Sequence, residues 1–259
     1  MFKKLFCLLM LITFVACGCT ENPNKIDRYK SIIKNDKLVV GISFDSKPFG
    51  FKDSDGQIKG LEVDFAKEIA KRILGDENKV VFKNITSQDR VNAAMSGDVD
   101  MVISTMTITP QRKRFVYFSS PYFVAGQVIC VRKDSKIDSI YDLLNKRVIV
   151  ELGTTGEKNI KQFAPNALIQ GYANNSDAIN AFINNEGDAI TTDDSLLQGL
   201  VMDNNNYIIL PKRLTKEPYG IAFKKSKQTK FLKKKVDEII NEIKSDGTLQ
   251  AIKDKWISY

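Results

Sequence analysis

The 259-residue chain contains no histidine, which removes the commonest general base and the commonest side-chain ligand of transition metals. Cysteine is scarce as well. Three of the four, Cys7, Cys17 and Cys19, fall within the first twenty residues, and Cys130 stands alone in the apolar run Gln127-Val128-Ile129-Cys130-Val131. That distribution excludes a disulfide framework and a zinc site, and leaves Cys130 to act as a small buried hydrophobe. Long apolar runs are missing: Leu5 to Val15 is too short to span a bilayer. Acidic excess is missing too, since the formal charge is +8. The lysines cluster near the C-terminus, at Lys224, Lys225, Lys227, Lys230 and Lys233 to Lys235. A basic chain invites a nucleic-acid reading. No nucleic-acid motif accompanies the charge, however, and solvated helix faces account for the lysines.

What is present begins with an export signal. Met1-Phe2-Lys3-Lys4 is the positive region, Leu5 to Val15 the apolar core, and Ala16-Cys17-Gly18-Cys19 the end of the segment. A small residue directly before a cysteine resembles a lipobox, in which the cysteine is diacylated and becomes the mature N-terminus. Cys17 is the favoured register and Cys19 the alternative; neither has leucine at the third position back. Loss of Lys3 and Lys4 with a signal over 1–16 would leave a charge of +6. The polar stretch after it reads as a flexible tether over 17–35.

Beyond the tether, short apolar strands alternate with amphipathic helices. Leu38 to Ile42, Lys79 to Ile85 and Val99 to Ser104 read as strands, with helices over Gly60 to Leu74 and Arg90 to Met95 between them. A second unit repeats the order: strands at Arg147 to Val150, Ala167 to Gly171 and Ala189 to Thr192, and helices at Gly156 to Phe163 and Asp177 to Ile183. In both units a helix, a Gly-Asp turn (Gly97-Asp98, Gly187-Asp188) and a strand follow one another. The chain then returns through a strand at Tyr219 to Phe223 and a helix at Leu232 to Ile243. The βαβ order predicts an α/β fold with mainly parallel sheets.

Gly60-Leu61-Glu62-Val63-Asp64-Phe65, running into Ala66 to Ile73, is the most informative segment. Gly60 ends an extended run, Glu62 and Asp64 suit a helix N-terminus, and the apolar residues keep helical spacing. This segment resembles the signature of the family 3 solute-binding proteins, which capture polar amino acids outside bacterial cells for ABC importers. The tail from Gly247 to Trp256 resembles the closing motif of that family, and the resemblance extends over nearly everything from Leu38 to Trp256. It implies a two-lobed periplasmic-binding-protein-like fold of type II with the ligand cleft between the lobes. The first lobe would be discontinuous, over 36–124 and 218–259, the second would cover 128–214, and the hinge would lie near 125–127 and 215–218. Gly126 and Pro218 punctuate the apolar runs at those crossings.

The resemblance also implies a site. Arg112 would grip the ligand α-carboxylate with its planar fork. Thr107 would add its hydroxyl and backbone N–H, with Ser104 and Thr105 on the same wall. From the second lobe Asp193 would receive the ammonium, with Asp194 as the adjacent alternative and helix N-capping as the task that suits Asp194 better. Thr154 and Thr155, in a turn that opens a helix, would meet the α-carboxylate from the opposite side. Arg90 matches an arginine that holds the distal carboxylate in glutamate- and aspartate-binding members. Ser43 stands where many relatives with acidic ligands carry lysine, and Glu151 where a glutamine-binding relative has a basic residue. Tyr219 would reach the cleft from the return hinge, and Phe44, Phe49 and Phe51 supply apolar walls.

The resulting expectation is the binding component of an ABC importer for glutamate or aspartate, with glutamine as the alternative. Its partners would be a free L-amino acid, the permease and ATPase subunits, and the outer face of the cell membrane through the lipid anchor, or the periplasm in a two-membrane envelope. A monomer without cofactor, metal, nucleic acid or catalytic activity is expected. A dehydratase-like enzyme on the same fold is the alternative of another class; it lacks a nucleophile motif, and Asp193 is the one carboxylate placed in the cleft. A sensor domain is the third, against which stands the end of the chain at Tyr259 with no spanning helix or signalling domain.

Overall fold

The computed structural model describes residues 27–257, the side chains of 202 and 203 apart. Cys17 and Cys19 therefore lie outside the described residues. The first of these residues overturn part of the expected tether. Asp27 accepts hydrogen bonds from the backbone N–H groups of Tyr29 and Lys30 and caps helix α1 (Arg28–Asn35). The polar composition concealed this helix, which buries only Ile32.

The first lobe then forms β1 (Leu38–Ile42), a small antiparallel sheet of β2 (Asp45–Ser46), β3 (Gly50–Lys52) and β4 (Ile58–Lys59), helix α2 (Leu61–Leu74), β5 (Val80–Asn84), α3 (Arg90–Ser96), β6 (Met101–Val102), α4 (Pro110–Lys113) and β7 (Val116–Phe118). One strand, β8 (Phe123–Ala125), leads out. The second lobe contains β9 (Gln127–Arg132), β10 (Arg147–Glu151), α5 (Thr155–Phe163), β11 (Leu168–Tyr172), α6 (Asn175–Ile183), β12 (Ala189–Asp193), α7 (Asp194–Asp203) and β13 (Tyr207–Ile209). The chain returns through β14 (Glu217–Tyr219), which pairs antiparallel with β8, and ends in β15 (Ala222–Lys224), α8 (Lys230–Ser245) and α9 (Thr248–Trp256).

Both five-stranded sheets are mixed, where mainly parallel pairing was expected. In the first lobe β5, β1 and β6 are parallel, and β15 and β7 complete the order antiparallel. In the second, β11, β10 and β12 are parallel, followed by antiparallel β9 and β13. The reason is the double crossing: β9 and β15 each enter a lobe from the hinge, against the direction of the βαβ strands. The expected strand from Tyr219 to Phe223 is accordingly divided. Tyr219 ends the hinge ladder and Ala222 starts β15, which lies between β6 and β7 in the first sheet.

Helical spacing produces the core as read. Leu232, Val236, Ile239, Ile240 and Ile243 of α8 are buried beside Phe65, Ile69 and Ile73 of α2. Truncating one such residue to alanine costs about 2–5 kcal/mol. Tyr29 of α1 meets Phe231 of α8 edge-on at 5.2 Å, and the Arg28 guanidinium donates to Asp100, so the N-terminal helix is bound to the first lobe. Cys130 is a buried free thiol in β9, and burial pushes its pKa up to about 12.

Candidate functional site

The signature segment builds the first wall. Gly60 has φ +132°, and a Cβ there would lie 2.0 Å from the Phe49 carbonyl oxygen, so only glycine lets β4 turn into α2. That turn sends Glu62 inward. Its carboxylate is fully buried and accepts the Thr105 N–H at 2.6 Å and the Tyr122 hydroxyl. Thr105 sits at φ +41°, a left-handed conformation rare for a β-branched residue. Glu62 is thus the anchor that holds the strained end of the β6 loop. Burial pushes Glu62 up to about 7, while the Tyr122 and Thr105 bonds and Arg90 act in the opposite direction.

Arg90 opens α3 and is buried. Its guanidinium donates to the carbonyls of Ser87 at 3.1 Å, Ser104 at 2.8 Å and Thr105 at 3.0 Å. Ser104 and Thr105 therefore contribute carbonyls that orient the arginine. Arg112 follows the Thr109 N-cap and Pro110 at the start of α4. It donates to the Thr107 carbonyl at 3.0 Å and, across the lobes, to the Gly153 carbonyl at 3.2 Å. Burial and the neighbouring Arg90 push Arg112 down to about 9, against the pull of Glu217 and Asp193.

The second wall is the N-terminal turn of α5 and the end of β12. Thr154 is the helix cap: its hydroxyl accepts the Glu157 N–H at 3.0 Å and donates to the Glu151 carbonyl at 2.7 Å. Thr155 donates to the Glu217 carboxylate at 2.8 Å and lies 3.4 Å from the Thr107 hydroxyl of the other lobe. Asp193 is buried, makes no capping bond at the start of α7, and accepts the Tyr219 hydroxyl. Burial pushes it up to about 7, with the Tyr219 bond opposing and the charges of Glu217 and Asp194 adding. Asp194 accepts the Ser195 N–H in the first turn of α7 at 2.8 Å, and it has a second task at the hinge. It accepts the Gly126 N–H at 3.2 Å and pairs with Arg213, which ties the start of α7 to the hinge.

Between the walls lies a small polar cavity of about 20 Å³, lined by Ser87, Arg90, Thr105, Thr107, Glu151, Thr154, Thr155, Gly156, Thr192, Asp193 and Leu196. Six expected site residues, Arg90, Thr105, Thr107, Thr154, Thr155 and Asp193, meet there. Arg112 stands at the edge and Tyr219 behind Asp193. Ser43 is set apart: its hydroxyl donates to Asp45 and accepts from Ser46 at 3.0 Å. Asp45 in turn accepts the Asn175 N–H of α6 at 3.0 Å, closing the lobes on that side. Phe49 is core and Phe51 packs edge-on against Trp256. A wider groove nearby, lined by Asp45, Ile179, Leu200 and Trp256 among others, contains no arginine and suits a zwitterion less well.

Sequence reasoning missed Glu62 as anchor, Asp45 as interlobe contact and Glu217 behind Thr155. Glu62 carried a signal, an acidic residue two places after an obligatory glycine; the other two did not. Glu151, known only as an odd substitution, proves to be a buried member of the wall, raised in pKa by burial and restrained by Arg90 and Ser87.

A profile of the bacterial extracellular solute-binding proteins, family 3, matches residues 38–259. The chain is 40% identical to the ABC transporter glutamine-binding protein GlnH of Bacillus subtilis (strain 168), over 98% of this chain and 97% of that one. It is 41% identical to the glutamine-binding protein of Geobacillus stearothermophilus, over 82% and 80% of the two chains. The crystal structure of the cysteine-binding protein from Campylobacter jejuni superposes with a TM-score of 0.85 at 32% identity, over 89% of this chain and 93% of that one.

Proposed function

The chain belongs to the bacterial extracellular solute-binding proteins of family 3, and from that premise we propose that its interlobe cavity captures glutamine. Membership makes it an exported amino-acid-binding component that serves an ABC transporter. The observation that carries the choice of ligand is the charge around the cavity. Two guanidinium groups, Arg90 and Arg112, face three carboxylates, Glu151, Asp193 and Glu217. A zwitterion with a neutral side chain leaves that balance unchanged. Glutamate or aspartate would add a second negative charge to a poorly solvated site beside Glu151. The amide of glutamine can accept from Arg90 and donate to Glu151. The two glutamine-binding relatives support the same choice over the acidic ligands.

In this reading Arg112 takes the α-carboxylate and Asp193 the ammonium. Neither lobe alone offers both, so the ligand stabilises the closed arrangement. Attachment to the outer membrane face through a lipid on Cys17, or on Cys19, is part of the same proposal; Cys17→Ser should abolish acyl labelling if Cys17 is the site. The ligand is tested by calorimetric titration with glutamine, glutamate, aspartate and arginine, after carried-over ligand is removed by partial unfolding. Glutamine should bind tightest, by about tenfold or more over glutamate, a difference of about 1.4 kcal/mol. Tighter binding of glutamate would overturn the choice of ligand and leave the family intact.

A further inference from the structure

Glu217 has no contact role in the site as read so far, yet it is buried at 3% exposure in a hinge strand and receives three hydrogen bonds. Thr215 donates at 2.6 Å and the Asn159 amide at 3.4 Å to one oxygen, and Thr155 donates at 2.8 Å to the other. Thr155 and Asn159 both belong to α5 of the second lobe. Glu217 does not line the cavity; Thr155 does.

The direction of these bonds matters. A carboxylate only accepts, so the single hydroxyl proton of Thr155 points at Glu217. The 3.4 Å contact between the Thr155 and Thr107 hydroxyls then runs one way, with Thr107 as donor. A directed chain results: Thr107 to Thr155 to Glu217, crossing from the first lobe through the second to the hinge. Both hydroxyl protons are engaged, and what the two threonines offer the cavity is lone pairs.

We infer that Glu217 is a positioning residue that fixes the hydrogen-bond polarity of the Thr107–Thr155 pair, so that the pair accepts from the ammonium end of the ligand and turns its carboxylate away. The inference rests on the cavity taking an amino-acid zwitterion. It reassigns the Thr155 hydroxyl, expected on the α-carboxylate, to the ammonium. The α-carboxylate is left to Arg112 and to the backbone N–H groups at the start of α5. Replacing Glu217 with glutamine puts a donor in front of Thr155, which frees the threonine to rotate and donate into the cavity.

The test is the ratio of affinities, by calorimetry on the full chain, for glutamine and its des-amino analogue 4-carbamoylbutanoate. If the titration panel selects another amino acid, that one and its des-amino acid replace the pair, which separates failure of the ligand assignment from failure of the relay. Glu217→Gln should lower the ratio about tenfold, by weakening amino-acid binding with little change for the analogue. Glu217→Asp keeps the charge but draws it out of reach, and should behave as Glu217→Gln does. Thr155→Val approaches the relay from the other end, and the Glu217→Gln/Thr155→Val double variant should lose little more than either single. Three results would overturn the inference: an unchanged ratio in Glu217→Gln, equal losses for both compounds, or a ratio preserved in Glu217→Asp, which would make through-space charge the cause.

Discussion

The Tyr219 hydroxyl donates to the Asp193 carboxylate, so that a ring packed among Phe49, Phe123 and Tyr122 in the first lobe supports a charge in the second. Asp193 nevertheless stands at about 7, because burial outweighs that bond. A ligand ammonium beside it favours the ionised form, and binding must then release a proton wherever Asp193 is protonated beforehand. Affinity should be level above about pH 7 and fall toward tenfold per pH unit below it. Titrations between about pH 5 and 8 read this directly, and Asp193→Asn should bind weakly with a flat profile. A flat profile in the parental protein would remove Asp193 from the ammonium site.

The same physics gives the ligand-free protein an unusual pH response. Glu62 and Asp193 both hold folded-state values of about 7, above the usual carboxylate range near 4. Between those limits the folded state binds more protons than the unfolded state, so stability should fall as pH rises from about 4 to about 7. Carboxylates lowered by partners, such as Asp246 at about 2, act below that window. Urea unfolding across it should show the decline, and Glu62→Gln should flatten it. Stability that rises over this range would contradict the burial assigned to both groups.

Arg112→Ala should reduce amino-acid affinity by about a hundredfold or more while leaving the melting temperature nearly unchanged, since truncating one partner of a buried charge pair costs about 2–5 kcal/mol. Near-parental affinity in that variant would place the α-carboxylate elsewhere. Arg112→Lys should fall between the two, because an ammonium cannot reach both carbonyls and a carboxylate at once.

Glu151→Gln should shift selectivity toward acidic ligands. Removing one of the two carboxylates that line the cavity should improve glutamate relative to glutamine by about tenfold, equivalent to one pKa unit of differential interaction. Competition between the two ligands on the variant measures it. Arg90→Ala, by contrast, should weaken all ligands, because that side chain also braces the Ser87, Ser104 and Thr105 carbonyls.

Most of the fold was legible because helical spacing and apolar strand runs state it directly: α2, α5, α6 and α8 lie within two residues of their expected limits. The first wall was legible too, since Arg90, Thr105, Thr107 and Arg112 fall in short motifs. What escaped were relationships between distant segments. The start of α1 follows from one aspartate cap in a polar run. Asp45 meets α6 130 positions further on, and Glu217 meets Thr155 at a separation of 62. Neither partner carries a local pattern. Ser43 was read as a ligand group from its position alone, whereas its hydroxyl is turned to Asp45 and Ser46 within its own loop.

Gly153 offers a test of closure apart from chemistry. Its φ is +76°, and a Cβ there would lie 2.8 Å from the Gln88 Cα of the opposite lobe. Gly153→Ala should cost the second lobe only about 1–2 kcal/mol of local strain. It should weaken every ligand alike, by about tenfold, because the lobes could not approach fully. Scattering profiles with saturating ligand should remain more extended than those of the parental chain. An equally compact liganded form would show that the lobes do not meet at this point.

Helix α1 gives the motion a frame of reference. Through Arg28 on Asp100 and Tyr29 on Phe231 it is riveted to the first lobe, with no corresponding hold on the second among the described residues. Whatever secures the N-terminus is therefore joined to the first lobe. The lobe joined to the N-terminal segment is also the one that contributes Arg90 and Arg112, so seen from that attachment closure carries the acidic side toward the cations.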